Sequence, residues 1–160
     1  MNGSPVPSKG HPMNRAAALT ATALATAATT LTIVPAQAAG SVHLTKIYYN
    51  SPGSDTRSNT SLNAEYVVIT NTTGATVNLK GWVLVDASNH KYTFTSFSLA
   101  KGKSVTIHTG HGTNTATNRY WGSGNYIWNN DKDKATLKRA NGAIQDTCAY
   151  NNAKAAWVNC

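Results

Sequence analysis

After Ala39 the chain runs in short stretches where apolar and polar residues alternate, broken by clusters of Asn, Ser, Gly and Thr. A period of two predicts half-buried strands, and no segment carries the 3.6-residue stripe of a helix. The first strand is expected over Val42–Tyr49, with Val42, Leu44 and Lys46 on one face and His43, Thr45 and Ile47 on the other. Residues 51–63 have almost no apolar side chain except Leu62 and read as a mobile loop. Ala64–Asn71, with Val67, Val68, Ile69 and Thr70, predicts a central strand. Further strands are expected at Val77–Leu79, Trp82–Asp86, Lys91–Thr95, Ser104–Thr109, Tyr126–Trp128, Ala135–Arg139 and Ala143–Tyr150. Ser88-Asn89-His90 and Asn141-Gly142 read as hairpin connections, and Gly110–Asn118 as loop. Eight or nine short strands at turn spacings of about 8–12 residues predict an all-β sandwich. Trp82 and Trp128 are the expected aromatic fillers of its core.

The segment before this pattern differs. Lys9, His11 and Arg15 precede a weakly apolar, acid-free run from Ala16 to Val34, which is followed by Pro35 and Ala36-Gln37-Ala38. This order of basic, apolar and small-residue regions predicts a cleaved signal peptide over residues 1–38, with the folded domain over residues 39–160. Met13-Asn14-Arg15 would itself make a compact basic region, which offers Met13 as an alternative start. The threonines at positions 20, 22, 26, 29, 30 and 32 leave no amphipathic face for a helix of the folded domain. The run is only marginally apolar for a retained span, and nothing later resembles one.

Composition sharpens this picture. Charged residues make up 12% of the chain, about half the usual share, and Thr, Asn, Ser, Gly and Ala fill the gap. Loss of residues 1–38 would remove Lys9 and Arg15 and no acid, leaving twelve basic against six acidic residues, about +6. That balance permits contact with nucleic acid, an anionic wall polymer or a membrane surface. Cys148 and Cys160 are the two cysteines, and an even count in an oxidising destination predicts one disulfide between them. Two cysteines are too few for a structural zinc site.

The ordered set Glu65-Tyr66-Val67-Val68-Ile69-Thr70-Asn71, Val77-Asn78-Leu79-Lys80-Gly81-Trp82-Val83-Leu84, Tyr92-Thr93-Phe94, Leu99-Ala100-Lys101-Gly102, Val105-Thr106-Ile107, Trp128-Asn129-Asn130 and Ala135-Thr136-Leu137 resembles the lamin-tail domain family. The segment His108-Thr109-Gly110-His111-Gly112-Thr113-Asn114 and the two late cysteines resemble its stand-alone secreted bacterial form. The resemblance implies an immunoglobulin-like sandwich with a generic interaction role and no catalytic residues. A heptad rod, the other part of lamins, is absent from this sequence.

The chemistry-bearing residues agree with a module that binds rather than reacts. Glu65 is the one glutamate, so paired Glu carboxylates cannot form. Asp131 and Asp133, two apart and interleaved with Lys132 and Lys134, read as turn-capping side chains, with a calcium loop as the alternative. His108 and His111 bracket Thr109-Gly110 without a neighbouring carboxylate, and read as loop histidines before metal ligands. There is no Gly-x-Ser-x-Gly elbow. No catalytic, cofactor or metal residue is therefore expected. Arg119-Tyr120-Trp121, in a glycine-flanked stretch, is the candidate binding loop, because exposed aromatics beside a cation stack on bases or sugars.

The leading expectation is a secreted or wall-associated, non-catalytic module that binds an extracellular protein or polymer. The alternative is binding of nucleic acid or another anionic polymer through the basic-aromatic loop. An enzyme or enzyme accessory is the third reading.

Overall fold

A computed structural model describes residues 40–160, and the expected leader over residues 1–38, with its alternative start at Met13, lies outside them. Eleven strands and one short helix follow in the described residues: β1 (Val42–Tyr48), α1 (Asn59–Asn63), β2 (Tyr66–Asn71), β3 (Val77–Asn78), β4 (Val83–Val85), β5 (Lys91–Thr93), β6 (Ser98–Leu99), β7 (Ser104–His108), β8 (Asn118–Tyr120), β9 (Lys132–Lys138), β10 (Ile144–Asn151) and β11 (Trp157–Asn159). They form a five-stranded sheet in the order β11-β1-β2-β7-β8, a four-stranded sheet in the order β10-β9-β4-β5, and the small pair β3-β6. Every pairing is antiparallel except β7 with β8.

This is the expected immunoglobulin-like sandwich, with more and shorter strands than alternation alone suggested. Leu44, Ile47, Val67, Ile69, Val105 and Ile107 of the larger sheet face Leu84, Ala135, Leu137 and Tyr150 of the smaller one, with Leu79, Phe94, Leu99 and Trp128 closing the ends. Among the described residues no helix is long and apolar enough to cross a membrane.

Four local readings are corrected. Residues 59–63 form a helical turn rather than loop: Ser58 caps it by accepting from the Ser61 amide at 3.2 Å, and Leu62 is buried beneath it. Five residues are too few to show a helical period. In β1 a bulge between Leu44 and Lys46 inserts Thr45, so the buried set runs Val42, Leu44, Ile47, Tyr49, and Lys46 leaves the core face. One extra residue reverses a strand's facing from that point on. Tyr126–Trp128 is not a strand. Trp82 is half-buried against the core, whereas Trp128 lies within it.

Two features join the sheets beside β1. Its outer edge is paired with β11 only over Lys46–Tyr48. Further back, the Leu44 amide donates to Asp146 Oδ2 at 2.8 Å, Gln145 Nε2 donates to the Val42 carbonyl at 2.9 Å, and the Cys160 amide donates to the Thr45 carbonyl at 3.0 Å. The expected disulfide is present, linking Cys148 on β10 to Cys160 just past β11 with a Cα–Cα distance of 5.6 Å. It therefore clasps one sheet to the other. In the chain-entropy picture a loop of this size stabilises the fold by about 3 kcal/mol.

Candidate functional site

The acids have structural work to do. Glu65, between α1 and β2, is fully buried. Its carboxylate accepts from the Ile127 amide at 3.0 Å, the Trp128 amide at 3.0 Å and the Thr109 hydroxyl, while its own carbonyl accepts from the Thr109 amide. The amides of Ile127 and Trp128 thus find their partner in a side chain instead of a neighbouring strand, and this segment belongs to no sheet. Burial pushes the Glu65 carboxyl up to about 7, with Asp133 adding to the rise and the three hydrogen bonds opposing it. The sequence showed a lone glutamate before a β-branched run and no sign of this anchoring role.

Asp133 is also buried. Its oxygens accept from the amides of Ala87 (3.0 Å), Asn129 (3.2 Å) and Lys134 (2.7 Å), and from Asn129 Nδ2 (3.0 Å). Asp131 is exposed, with one oxygen on the following amide, that of Lys132. The two carboxylates therefore serve different turns. Asp86 closes the β4–β5 connection by accepting from the His90 amide at 2.7 Å, with His90 Nδ1 2.6 Å from its other oxygen. Tyr150 donates to the Asn129 carbonyl at 2.6 Å and stacks on Tyr49 at 3.8 Å. Burial, with Asp133 and Glu65 nearby, pushes the Tyr150 hydroxyl far up and keeps it a donor.

The histidines are separated as well. His108 on β7 has Nδ1 2.8 Å from the Asn63 carbonyl and Nε2 3.0 Å from Asn118 Oδ1. His111 is held through its backbone, its amide on Asn59 Oδ1 and its carbonyl on the side-chain amides of Asn59 and Asn63. Among the described residues no group of three His, Cys, Asp or Glu side chains converges as a metal site would require.

Arg119 and Tyr120 lie on β8 rather than in a loop, and alternation sends neighbouring side chains to opposite faces. The Arg119 guanidinium sits 4.2 Å above the Phe97 ring, and its buried Nε has no partner. Trp121 meets Trp128 edge-on at 6.1 Å and approaches Tyr92 at 5.8 Å. Tyr120 turns the other way. Its amide and the Asn118 carbonyl, on the free edge of β8, are capped by Asn114 Oδ1 and the Thr115 amide. The three candidate residues are thus neighbours in sequence without forming one surface.

Tyr120 instead ends a row that crosses the whole larger sheet. Trp157, Tyr48, Tyr66, His108 and Tyr120 are direct cross-strand partners on five successive strands. Ring centroids are 5.3 Å apart for Tyr48–Tyr66, 5.8 Å for Tyr66–His108 and 5.2 Å for His108–Tyr120. The first and last of these pairs are within 23° of parallel, too close to lie side by side in one plane, so those rings overlap like tiles. Lys46 Nζ lies 4.3 Å over the Trp157 ring. Such pairs stabilise a sheet.

At the end of the sandwich where β1 begins, an open cleft of about 350 Å³ is lined by Val42, Val77, Trp82, Arg139 and Gln145 among others. Gln145 Oε1 accepts from Arg139 Nε.

The family model described as the Lamin Tail Domain matches residues 35–152. No curated protein matches the chain.

Proposed function

Because the chain belongs to the lamin tail domain family, whose fold is immunoglobulin-like, we propose that it is an exported, non-catalytic binding module. One observation carries this reading. Four of the six carboxylates, Glu65, Asp86, Asp133 and Asp146, are buried or half-buried and accept from backbone amides. Only Asp55 and Asp131 are exposed, and each already accepts a hydrogen bond, from Asn130 Nδ2 at 3.2 Å and from the Lys132 amide at 2.8 Å. What faces solvent is basic, hydroxyl-rich and aromatic, a surface suited to contact.

Export rests on the basic, apolar and small-residue order of residues 9–38. Protein recovered from culture medium is expected to have the mass of Ala39–Cys160 less two hydrogens. A retained leader, or hydrolysis of cell-wall glycan or nucleic acid by the purified protein, would refute the corresponding half of the proposal.

The excess of cations supports a second reading, binding of nucleic acid or another anionic polymer. With Arg119 on Phe97 and Trp121 on Trp128, that contact would use other residues than the tripeptide. Labelled DNA titrated at two salt concentrations tests it, and absence of affinity at low salt removes it.

A further inference from the structure

The two ends of the sandwich differ in charge. Asp55, Glu65, Asp86, Asp131 and Asp133 all belong to the end where β2 and β9 begin. At the opposite end stand Lys80 before β4, Lys101 and Lys103 in the turn before β7, and Lys138 and Arg139 at the close of β9. All of these are exposed except the half-buried Lys138. The nearest carboxylate, Asp146, is half-buried with one oxygen on the Leu44 amide.

These segments adjoin one another. The Asn71 amide donates to the Lys103 carbonyl at 2.9 Å, and the Thr72 amide donates to the Ser41 carbonyl at 2.9 Å. Ser41 lines the cleft with Arg139 and Trp82. A Cβ placed on Gly81 would lie 3.1 Å from that of Ala140, which brings Lys80 to the β9–β10 hairpin. Within this basic ring are the half-buried Trp82 and Val77. On its rim, paired with Lys138, is Ile144, which is 65% exposed, more than any other large hydrophobic side chain described.

We infer that this end of the module docks on an anionic lipid bilayer, the five cations meeting headgroups while Ile144 and the Trp82 edge enter the interfacial layer. A soluble polyanion would account for the cations but gives no reason for an isoleucine on the rim, whereas a bilayer offers an apolar layer directly beneath its charge. An indole half in and half out suits headgroup depth. The inference rests on the reading of the chain as a binding module and adds the partner.

Cosedimentation tests it with the expected mature form, residues 39–160, which holds all the described residues. Vesicles of phosphatidylcholine alone are compared with vesicles that also contain phosphatidylglycerol. Binding is expected only with phosphatidylglycerol, weakening as salt rises. Each cation removed should cost about fivefold, so the triple variant Lys80→Gln, Lys101→Gln, Lys103→Gln should lose about a hundredfold. Ile144→Ser should lose about tenfold. Lys132→Gln with Lys134→Gln, at the other end, should bind as the parent does, and thermal melting confirms that each variant is folded. Equal binding to both vesicle types, or full retention by the triple variant, overturns the inference. So does an unchanged Ile144→Ser variant whose vesicle binding DNA or polyphosphate competes away, since that identifies a soluble polyanion site. Hydrolytic activity would refute the module reading, and absent vesicle binding without such activity would refute this inference alone.

Discussion

Glu65 gives a pH dependence opposite in sign to that of most hydrogen-bonded carboxylates. Its folded-state value of about 7 stands against an ordinary 4.5. Between these values the folded protein holds the proton that the unfolded chain releases. Its contribution is therefore most favourable below about pH 4.5, declines as pH rises through about 7, and is constant above. A gap of that size corresponds to about 3 kcal/mol. The Thr109 hydroxyl serves both states, because it donates to the carboxylate and can turn to accept from the carboxyl. Glu65→Gln isolates the effect. Glutamine does not titrate, and its NH2 must oppose one of the donors now served, which costs about 1–3 kcal/mol at any pH. Urea unfolding followed by tryptophan fluorescence, in steps from pH 5 to 8, should show the parent ahead of the variant at pH 5. That lead should shrink by about 2–3 kcal/mol by pH 8, part of the gap being lost already at pH 5. A lead that holds or grows with pH would refute the reasoning, for it would mean that the three donors outweigh burial and keep the carboxylate ionised.

Other substitutions test the scaffold. Cys148→Ser with Cys160→Ser should lower stability by about 2–4 kcal/mol, read as a fall in the urea midpoint that reductant reproduces in the parent and leaves unchanged in the variant. Asp146→Ala strands the Leu44 amide at the edge of β1 and should cost about 1–3 kcal/mol, with faster hydrogen exchange at Leu44 as the local sign. Tyr66→Ala, in the middle of the aromatic row, should cost more than Tyr120→Ala at its end in thermal melts, because it removes two ring neighbours instead of one.

Alternation predicted the longer strands, as in β2, whose facing pattern alternates along its length, and missed the short β6, β8 and β11. It failed where backbone pairing and side-chain pattern part company. Tyr126-Ile127-Trp128 has the apolar content of a strand, yet the amides of Ile127 and Trp128 end on a carboxylate 62 and 63 residues away. The bulge at Thr45 leaves one trace in the sequence, since unbroken alternation would put Lys46 on the core face and Ile47 on the outer one. Alternation does not say where the extra residue sits. Arg119-Tyr120-Trp121 misled for a related reason: on an extended backbone, adjacency in sequence means opposition in space. The converse holds for Tyr48, Tyr66, His108, Tyr120 and Trp157, which are scattered along the chain and meet only through the register of five strands. The basic end was legible only as a net charge, since topology alone brings the turn before β7, the start of β4 and the β9–β10 hairpin together.

The division of charge separates what the fold needs from what a partner would use. Glu65, Asp86, Asp133 and Asp146 supply acceptors at places where backbone amides have no strand beside them, so their removal should register as lost stability. The cations opposite them occupy turns that make a different demand. Before β7 and after β9 the backbone passes through positive φ at Gly102 (69°) and Gly142 (84°), and glycine meets that requirement without help from a neighbouring lysine. Lys101 and Lys103 can therefore change to glutamine without disturbing the turn. Substitutions on the acids should move melting temperature, and substitutions on this group of lysines should move vesicle binding. A lysine variant that unfolded would show that the basic end belongs to the scaffold after all.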